Sequence, residues 1–247
     1  MDVLVVLPTY NESENIERVL RRIRDSLTAA TVLVVDDGSP DGTAEIAERL
    51  GKELGNIEVM CRHRKSGLGS AYRAGFHWGL ERDFDACVEM DADLSHEPEA
   101  LPELVGALSD DCELAVGSRY IPGGAIPNWA WHRRLLSRGG NVYASALLGL
   151  GVADSTSGFR AYSATVLRRI DLDRIRADGY GFQIEMTYQA KRAGASVTEV
   201  PIRFVDRVDG RSKMSMFIVV EALALVTWWG AQRLVGGLVS PRQPVRT

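Results

Sequence analysis

The run Val3-Leu4-Val5-Val6-Leu7, leading straight into Pro8-Thr9-Tyr10-Asn11-Glu12, decides the architecture. A short apolar run without polar alternation marks a strand buried on both faces, as in parallel sheets covered by helices. Residues 31–35 repeat the pattern, and between the two runs Ile16, Val19, Leu20, Ile23 and Leu27 recur at helical spacing. Asn11 or Ser13 is expected to cap that helix, with Glu12 and Glu14 in an acidic first turn. Further outward, the turn Asp36-Asp37-Gly38-Ser39-Pro40-Asp41-Gly42 precedes a second helix over 43–54. Strands are expected near 57–61, 84–90 and 113–117, and helices near 68–81 and 98–108. This alternation predicts an α/β fold, a mostly parallel sheet flanked by helices.

Beyond residue 120 the pattern loosens. Ile121 to Asn128 forms a Pro/Gly-rich loop; helices are expected over 132–150 and 182–193, and a strand over 196–204. The stretch 214–239 is apolar on nearly every side, interrupted by Glu221, Gln232 and Arg233. Its unbroken part, Ala222 to Ala231, is too short to cross a bilayer, which takes about 20 apolar residues. Trp228 and Trp229 suit a membrane interface, and Arg233, Arg242 and Arg246 suit anionic headgroups. A helix packed on the protein's own core is the alternative. The expected division is a catalytic domain over 1–213 and an apolar helix and tail over 214–247 that docks on the membrane or a partner.

Net charge is −4 with both signs interspersed, which argues against a nucleic-acid binder. Local basic clusters remain, at Arg133, Arg134 and Arg138 and at Arg203, Arg207, Arg211 and Lys213, as an anionic substrate would need. Three cysteines without CxxC spacing indicate neither a disulfide framework nor a zinc site and fit a reducing compartment. With no basic leader before the first strand, a cytoplasmic protein is expected.

Open α/β sheets bind ligands at the carboxyl ends of their strands. At the first such end, Tyr10 can stack on a base or ribose and Glu12 can accept from ribose or base donors. No glycine fingerprint follows, and Gly67-Leu68-Gly69 places Tyr72 where a third glycine would be required, so a dinucleotide-binding dehydrogenase is disfavoured. At the second end, one carboxylate of Asp36-Asp37 can close the turn while the other holds a nucleoside. The sharpest signal is Asp91-Ala92-Asp93, where strand alternation would aim both carboxylates at one site. Carboxylate oxygens suit Mg²⁺ or Mn²⁺ bridging a diphosphate. Nearby His96 reads as a capping or core residue. Arg119, after the fifth strand, together with Arg133, Arg134, Arg207 and Lys213, offers positive charge for phosphate groups.

Taken in order, PTYNE, DDGSPDGT, GLGSAYRAG, DADLSHEP, GSRY, SGFRAY, GYGFQIE and VPIRFVDRVDGRSKMS resemble the polyprenol- and dolichol-phosphate mannosyltransferases over residues 3–216. The resemblance implies a GT-A fold and inverting transfer from GDP-mannose to a polyprenyl phosphate. It implies that Pro8, Tyr10, Glu12, Val35 and Asp37 bind the nucleoside and that Asp91 and Ala92 lie against the donor. Asp93 would ligate Mg²⁺ or Mn²⁺, and Ser95 stands where the family often has a glutamine ligand. Arg119, Arg207 and Lys213 would contact the donor phosphates, and Arg133, with Arg134 beside it, the lipid phosphate. Some relatives carry two C-terminal membrane spans that this chain lacks, so interfacial docking on the cytoplasmic face or an integral-membrane partner would bring it to its acceptor. A UDP-glucose donor, or a sugar-nucleotide-binding protein without turnover, remain alternative readings of the same residues.

Overall fold

The computed structural model describes residues 1–127, 129–205 and the helix 216–239, with side chains of that helix described over 221–233. Seven strands form one sheet: β1 (Val3–Thr9), β2 (Thr31–Asp36), β3 (Ile57–Cys61), β4 (Ala86–Glu89), β5 (Leu114–Ser118), β6 (Arg160–Ser163) and β7 (Val197–Pro201). Their order is β3-β2-β1-β4-β6-β5-β7. β1 lies parallel to β2 and β4, while β6 runs antiparallel to both β4 and β5. The parallel pairings bring the ends of β1 and β2 into one row, with Thr9 beside Asp36.

Helices cover both faces: α1 (Ile16–Ser26), α2 (Thr43–Leu54), α3 (Leu68–Leu80), α4 (Leu101–Gly106), α5 (Trp131–Leu148), α6 (Ala164–Arg169), α7 (Gly179–Arg192) and α8 (Met216–Val239). On one face Val3, Val5 and Leu7 pack with Ile16, Val19 and Ile23 of α1. On the other, Leu4, Val6, Leu33 and Val35 pack with Tyr72 and Phe76 of α3 and Phe182 of α7. Alternate residues of one apolar run thus feed two cores, as strand periodicity requires.

The sequence expectations need three corrections, to the start of α1, to residues 98–108 and at β6. α1 begins at Ile16 with Asn15 at its cap and no side-chain capping bond; Asn11 sits at φ 59°, and Asn15 instead donates to Glu12. The expected helix over 98–108 is a 3₁₀ turn, Pro98–Ala100, followed by the short α4. β6 was not foreseen, because its four residues open with a buried arginine rather than forming an apolar run. Of the stretch 214–239, residues 221–233 of α8 lie against the protein itself, the alternative left open by the sequence. Val226 is buried, Trp229 stacks on Tyr188, and Gly230 lies so close to Leu147 that a Cβ would collide. The boundary expected after residue 213 lies outside the described residues.

Candidate active site

The strand ends open into a cleft of about 550 Å³. The end of β1 contributes Pro8 and the segment after it Tyr10 and Glu12; Asp37 follows β2, and the segment after β4 supplies Asp91, Ala92, Asp93 and Ser95. Arg119 follows β5, and Trp129 and Arg133 also line the cleft. Most of the residues singled out in the sequence therefore meet in one place.

The two adjacent aspartates divide their work. Asp36 closes its turn, accepting from Ser39 N (2.8 Å), Ser39 Oγ (2.6 Å) and Thr9 Oγ1 (2.9 Å). Asp37 faces the cleft, where Arg62 Nε donates to it at 2.5 Å and Ser66 N at 3.1 Å. That grip fixes the carboxylate in place at the cleft wall.

Asp91 and Asp93 share the cleft for a reason other than strand alternation. β4 ends at Glu89, and the aspartates lie in a bend where Leu94 takes φ 63°. Tyr72 donates to Asp91 Oδ1 at 3.1 Å, and burial raises the Tyr72 hydroxyl well above its ordinary range, so it stays a donor. Ser95 N donates to Asp93 Oδ1 at 3.0 Å. His96 is stacked on Phe159 and accepts from Asp91 N through Nδ1 at 3.3 Å. Burial lowers its pKa to about 4, so the ring is neutral and serves as a prop for the bend.

Asp93 and the Ser95 hydroxyl make an oxygen-only donor set, which fits Mg²⁺ or Mn²⁺. Among the described residues no three Asp, Glu, His or Cys side chains converge, so an ion here would draw its other ligands from a bound diphosphate or water.

Arg119 is buried, and the acid that holds it was not foreseen. Asp154 accepts from its backbone N (3.0 Å), Nε (2.7 Å) and Nη2 (2.7 Å), and Nη2 also reaches Thr156 Oγ1 (2.8 Å). Among the described residues Arg119 Nη1 makes no hydrogen bond. Burial would raise the Asp154 carboxyl, but Arg119 outweighs it and holds it below the usual carboxylate range.

Two expected residues stand elsewhere. Val35 is a core side chain packed toward α3, because strand alternation turns it away from the ligand end. Arg134 is exposed outside the cleft and donates to the Ile126 carbonyl at 2.5 Å, since one helical step from Arg133 rotates it away. Arg207 and Lys213 lie outside the described residues.

Other cleft residues were missed. Lys65 lies over the Tyr10 ring, 4.2 Å from its centroid, and the basic run before Gly67 was its only signal. Gly67-Leu68-Gly69 serves as a seat for Asp178, which accepts from Gly69 N at 2.7 Å; a Cβ on Gly67 would strike that carboxylate. Tyr180 and Gln183, from the GYGFQIE segment, line the cleft on the α7 side.

Beneath the floor, Glu89 is fully buried opposite Arg160 in the β4–β6 register. Arg160 gives its hydrogen bonds to the carbonyls of Ser155, Ser157 and Gln183 and to Thr187. Burial therefore pushes the Glu89 carboxyl up to about 7, with Arg160's charge offsetting only part. As pH rises from about 4.5 to about 7, the unfolded chain releases a proton that the folded chain keeps. Stability falls across that window and levels off above it. Glu89→Gln should remove this slope, leaving stability near pH 4.5 unchanged and raising it at pH 8 by about 3 kcal/mol. Urea denaturation at the two pH values reads the effect; equal stabilities at pH 8 would contradict it.

A model of glycosyl transferase family 2 matches residues 4–171. This chain is a family 2 glycosyltransferase. Over 230 residues, 93% of this glycosyltransferase and 94% of the relative, it is 50% identical to an undecaprenyl-phosphate mannosyltransferase of Micrococcus luteus. It is 48% identical to a polyprenol monophosphomannose synthase of Mycolicibacterium smegmatis, covering 92% of this chain and 86% of that one. Among solved structures, glucosyl-3-phosphoglycerate synthase from Mycobacterium tuberculosis, in complex with Mn²⁺, UDP-glucose and phosphoglyceric acid, superposes with a TM-score of 0.69. That match is 22% identical and covers 93% of this chain and 80% of the other. It establishes the GT-A-like fold of this glycosyltransferase.

Proposed function

We propose that the enzyme transfers mannose from GDP-mannose to a polyprenyl phosphate, with inversion, releasing GDP. The observation that carries this reading is the position of Arg133. It lines the polar cleft and also an apolar groove formed with Leu136, Ile184, Leu223 and Val226. A wall shared in that way suits an acceptor with an anionic head and a hydrocarbon tail. Arg133 is fixed there by Trp129, whose ring lies 3.8 Å from the guanidinium carbon. The names of the two relatives point to the same acceptor class and sugar.

In the proposed reaction a phosphate oxygen of the acceptor forms the new bond to the anomeric carbon as the bond to GDP breaks. GDP leaves with the electron pair, opposite the incoming oxygen, and the product is β-linked. A phosphate monoester is largely ionised near neutrality, so no strong general base is needed. Tyr10, Glu12 and Asp37 hold the nucleoside end, and Asp91, braced by Tyr72 and His96, orients the sugar. Arg119 Nη1 faces the phosphates and Arg133 the acceptor. Mg²⁺ or Mn²⁺ on Asp93, with Ser95 beside it, would supply charge neutralisation for the diphosphate. The remaining acceleration comes from alignment of two bound substrates.

Among the described residues no helix is long and apolar enough to cross a membrane. In this reading the enzyme meets its acceptor peripherally on the cytoplasmic face, directly or through an integral-membrane partner. Three free thiols, Cys61, Cys87 and Cys112, fit that compartment.

The reading is tested with purified protein, labelled GDP-mannose or UDP-glucose, Mg²⁺ and a polyprenyl phosphate. Label from GDP-mannose should enter the organic phase. Transfer from UDP-glucose alone would replace the donor assignment. Arg133→Ala should raise KM for the lipid phosphate about tenfold or more while leaving KM for GDP-mannose nearly unchanged. Equal increases for both substrates would defeat the separation of the two subsites.

A further inference from the structure

Both amide atoms of the Gln183 side chain are buried, and neither meets a hydrogen-bond partner among the described residues. Native proteins rarely keep such an amide without a use for it. Glu89 lies on its inner side, near enough for the amide to favour the carboxylate, yet no hydrogen bond joins the two. Outward, Gln183 lines the cleft. There it borders Gly158, where a Cβ would stand 3.6 Å from Gln183 Nε2, 3.7 Å from Asp91 Oδ2 and 3.8 Å from His96 Cε1. The missing side chain leaves a small cradle walled by an amide, a carboxylate and an imidazole.

Buried contacts hold the walls of this cradle. Arg160 donates to the Ser157 carbonyl and to the Gln183 carbonyl, at 2.7 Å each, and so ties the Gly158 segment to α7. Tyr72 holds Asp91 by Oδ1, while Oδ2 lies on the Gly158 side. Gly158 is outside the left-handed region, and an added methyl would meet its neighbours only at ordinary contact distance. An alanine there would suit the fold and fill the cradle.

Chemistry selects the occupant. Asp91 would repel a phosphate, and an apolar group would leave the amide unpaired. A hydroxyl can donate to the carboxylate and accept from the amide at once. The nucleoside end lies with Tyr10, Glu12 and Asp37, which leaves the sugar as the source of that hydroxyl. We propose that Gln183, with Asp91 across the open face of Gly158, seats one hydroxyl of the donor sugar and so helps determine which sugar is transferred. This deepens the mannosyl-transfer reading and rests on it for the identity of the donor.

Gly158→Ala should lower kcat/KM for GDP-mannose about a hundredfold, the scale of a displaced reacting group. Its affinity for GDP, which carries no sugar, should stay near the parent value, which also shows that the variant folds. Gln183→Met keeps the side-chain length, loses the hydrogen bonds and should cost about tenfold. GDP-mannose analogues that each lack one sugar hydroxyl give the sharper readout. The parent should use one of them about tenfold less well, and Gln183→Met should close most of that gap. A glutamine with a purely structural role would slow every donor alike. Parent-like turnover of GDP-mannose by both variants overturns the proposal. So does a Gln183→Met variant that keeps the parent's full preference for every hydroxyl, or a Gly158→Ala variant that loses GDP and GDP-mannose equally. Transfer by the parent from UDP-glucose alone, lost again in Gly158→Ala, would replace the donor and leave the hydroxyl seat standing.

Discussion

Asp93→Ala lowers kcat about a thousandfold, the scale on which lost charge stabilisation of a transition state is felt. Asp93 is buried to 6% exposure in the bend after β4, and its Oδ1 already holds the Ser95 N–H. The carboxylate is thus aimed before substrate arrives, and its removal takes away charge without disturbing a strand. GDP-mannose binding should weaken, and the stimulation of turnover by Mg²⁺ or Mn²⁺ should disappear. Thermal unfolding should change little, because the bend keeps the His96 prop and the Tyr72–Asp91 bond. Steady-state kinetics over a metal titration make the measurement. Metal-stimulated activity in the variant close to the parent value would remove Asp93 from the role proposed for it.

Asp154→Ala acts on stability first. The Arg119 and Asp154 side chains are 4% and 0% exposed, and the pair is joined by two side-chain bonds of 2.7 Å. Deleting the acid leaves a buried guanidinium without its counter-charge, which costs about 3–5 kcal/mol. Arg119→Ala strands the acid in the same way. The double variant Arg119→Met with Asp154→Leu removes both charges and should recover much of the loss, though not activity. Urea denaturation separates these cases. A single variant as stable as the parent would show that the pair contributes no net interaction. Asp154 is itself held by Glu199 of β7, which accepts from the backbone N of Ala153 and Asp154 at 2.8 and 3.0 Å. Arg119, proposed above to face the donor phosphates, is therefore set by a chain of acids reaching back into the sheet.

Much of this was legible in the chain. The runs at 3–7 and 32–35 are uniformly apolar because their strands are buried on both faces, and that alone fixes strand type and sheet class. Tyr10, Glu12, Asp37, Asp91 and Asp93 could be expected to meet in one cleft because the ends of an α/β sheet's strands form a common edge, and those strand ends were clear. What escaped notice depends on contacts distant in sequence. Nothing near Asp154 announces that Arg119, 35 positions earlier, will occupy it. β6 is hidden because Arg160 fills a strand position and is satisfied by carbonyls from α7 and the preceding loop. The apolar groove needs α5 and α8 side by side, and that pairing joins helices from distant parts of the chain.

β7 sets a lower limit on how far the protein can be trimmed. The family match ends at residue 171, yet β5 pairs with β7 from Leu114 opposite Val197 to Ser118 opposite Pro201. A fragment ending near 171 would leave β5 as a raw edge of unmatched amides, open to pairing with other molecules. It would also lose Phe182 from one core and Ile202 from the other. The smallest piece worth expressing by itself runs at least to Phe204.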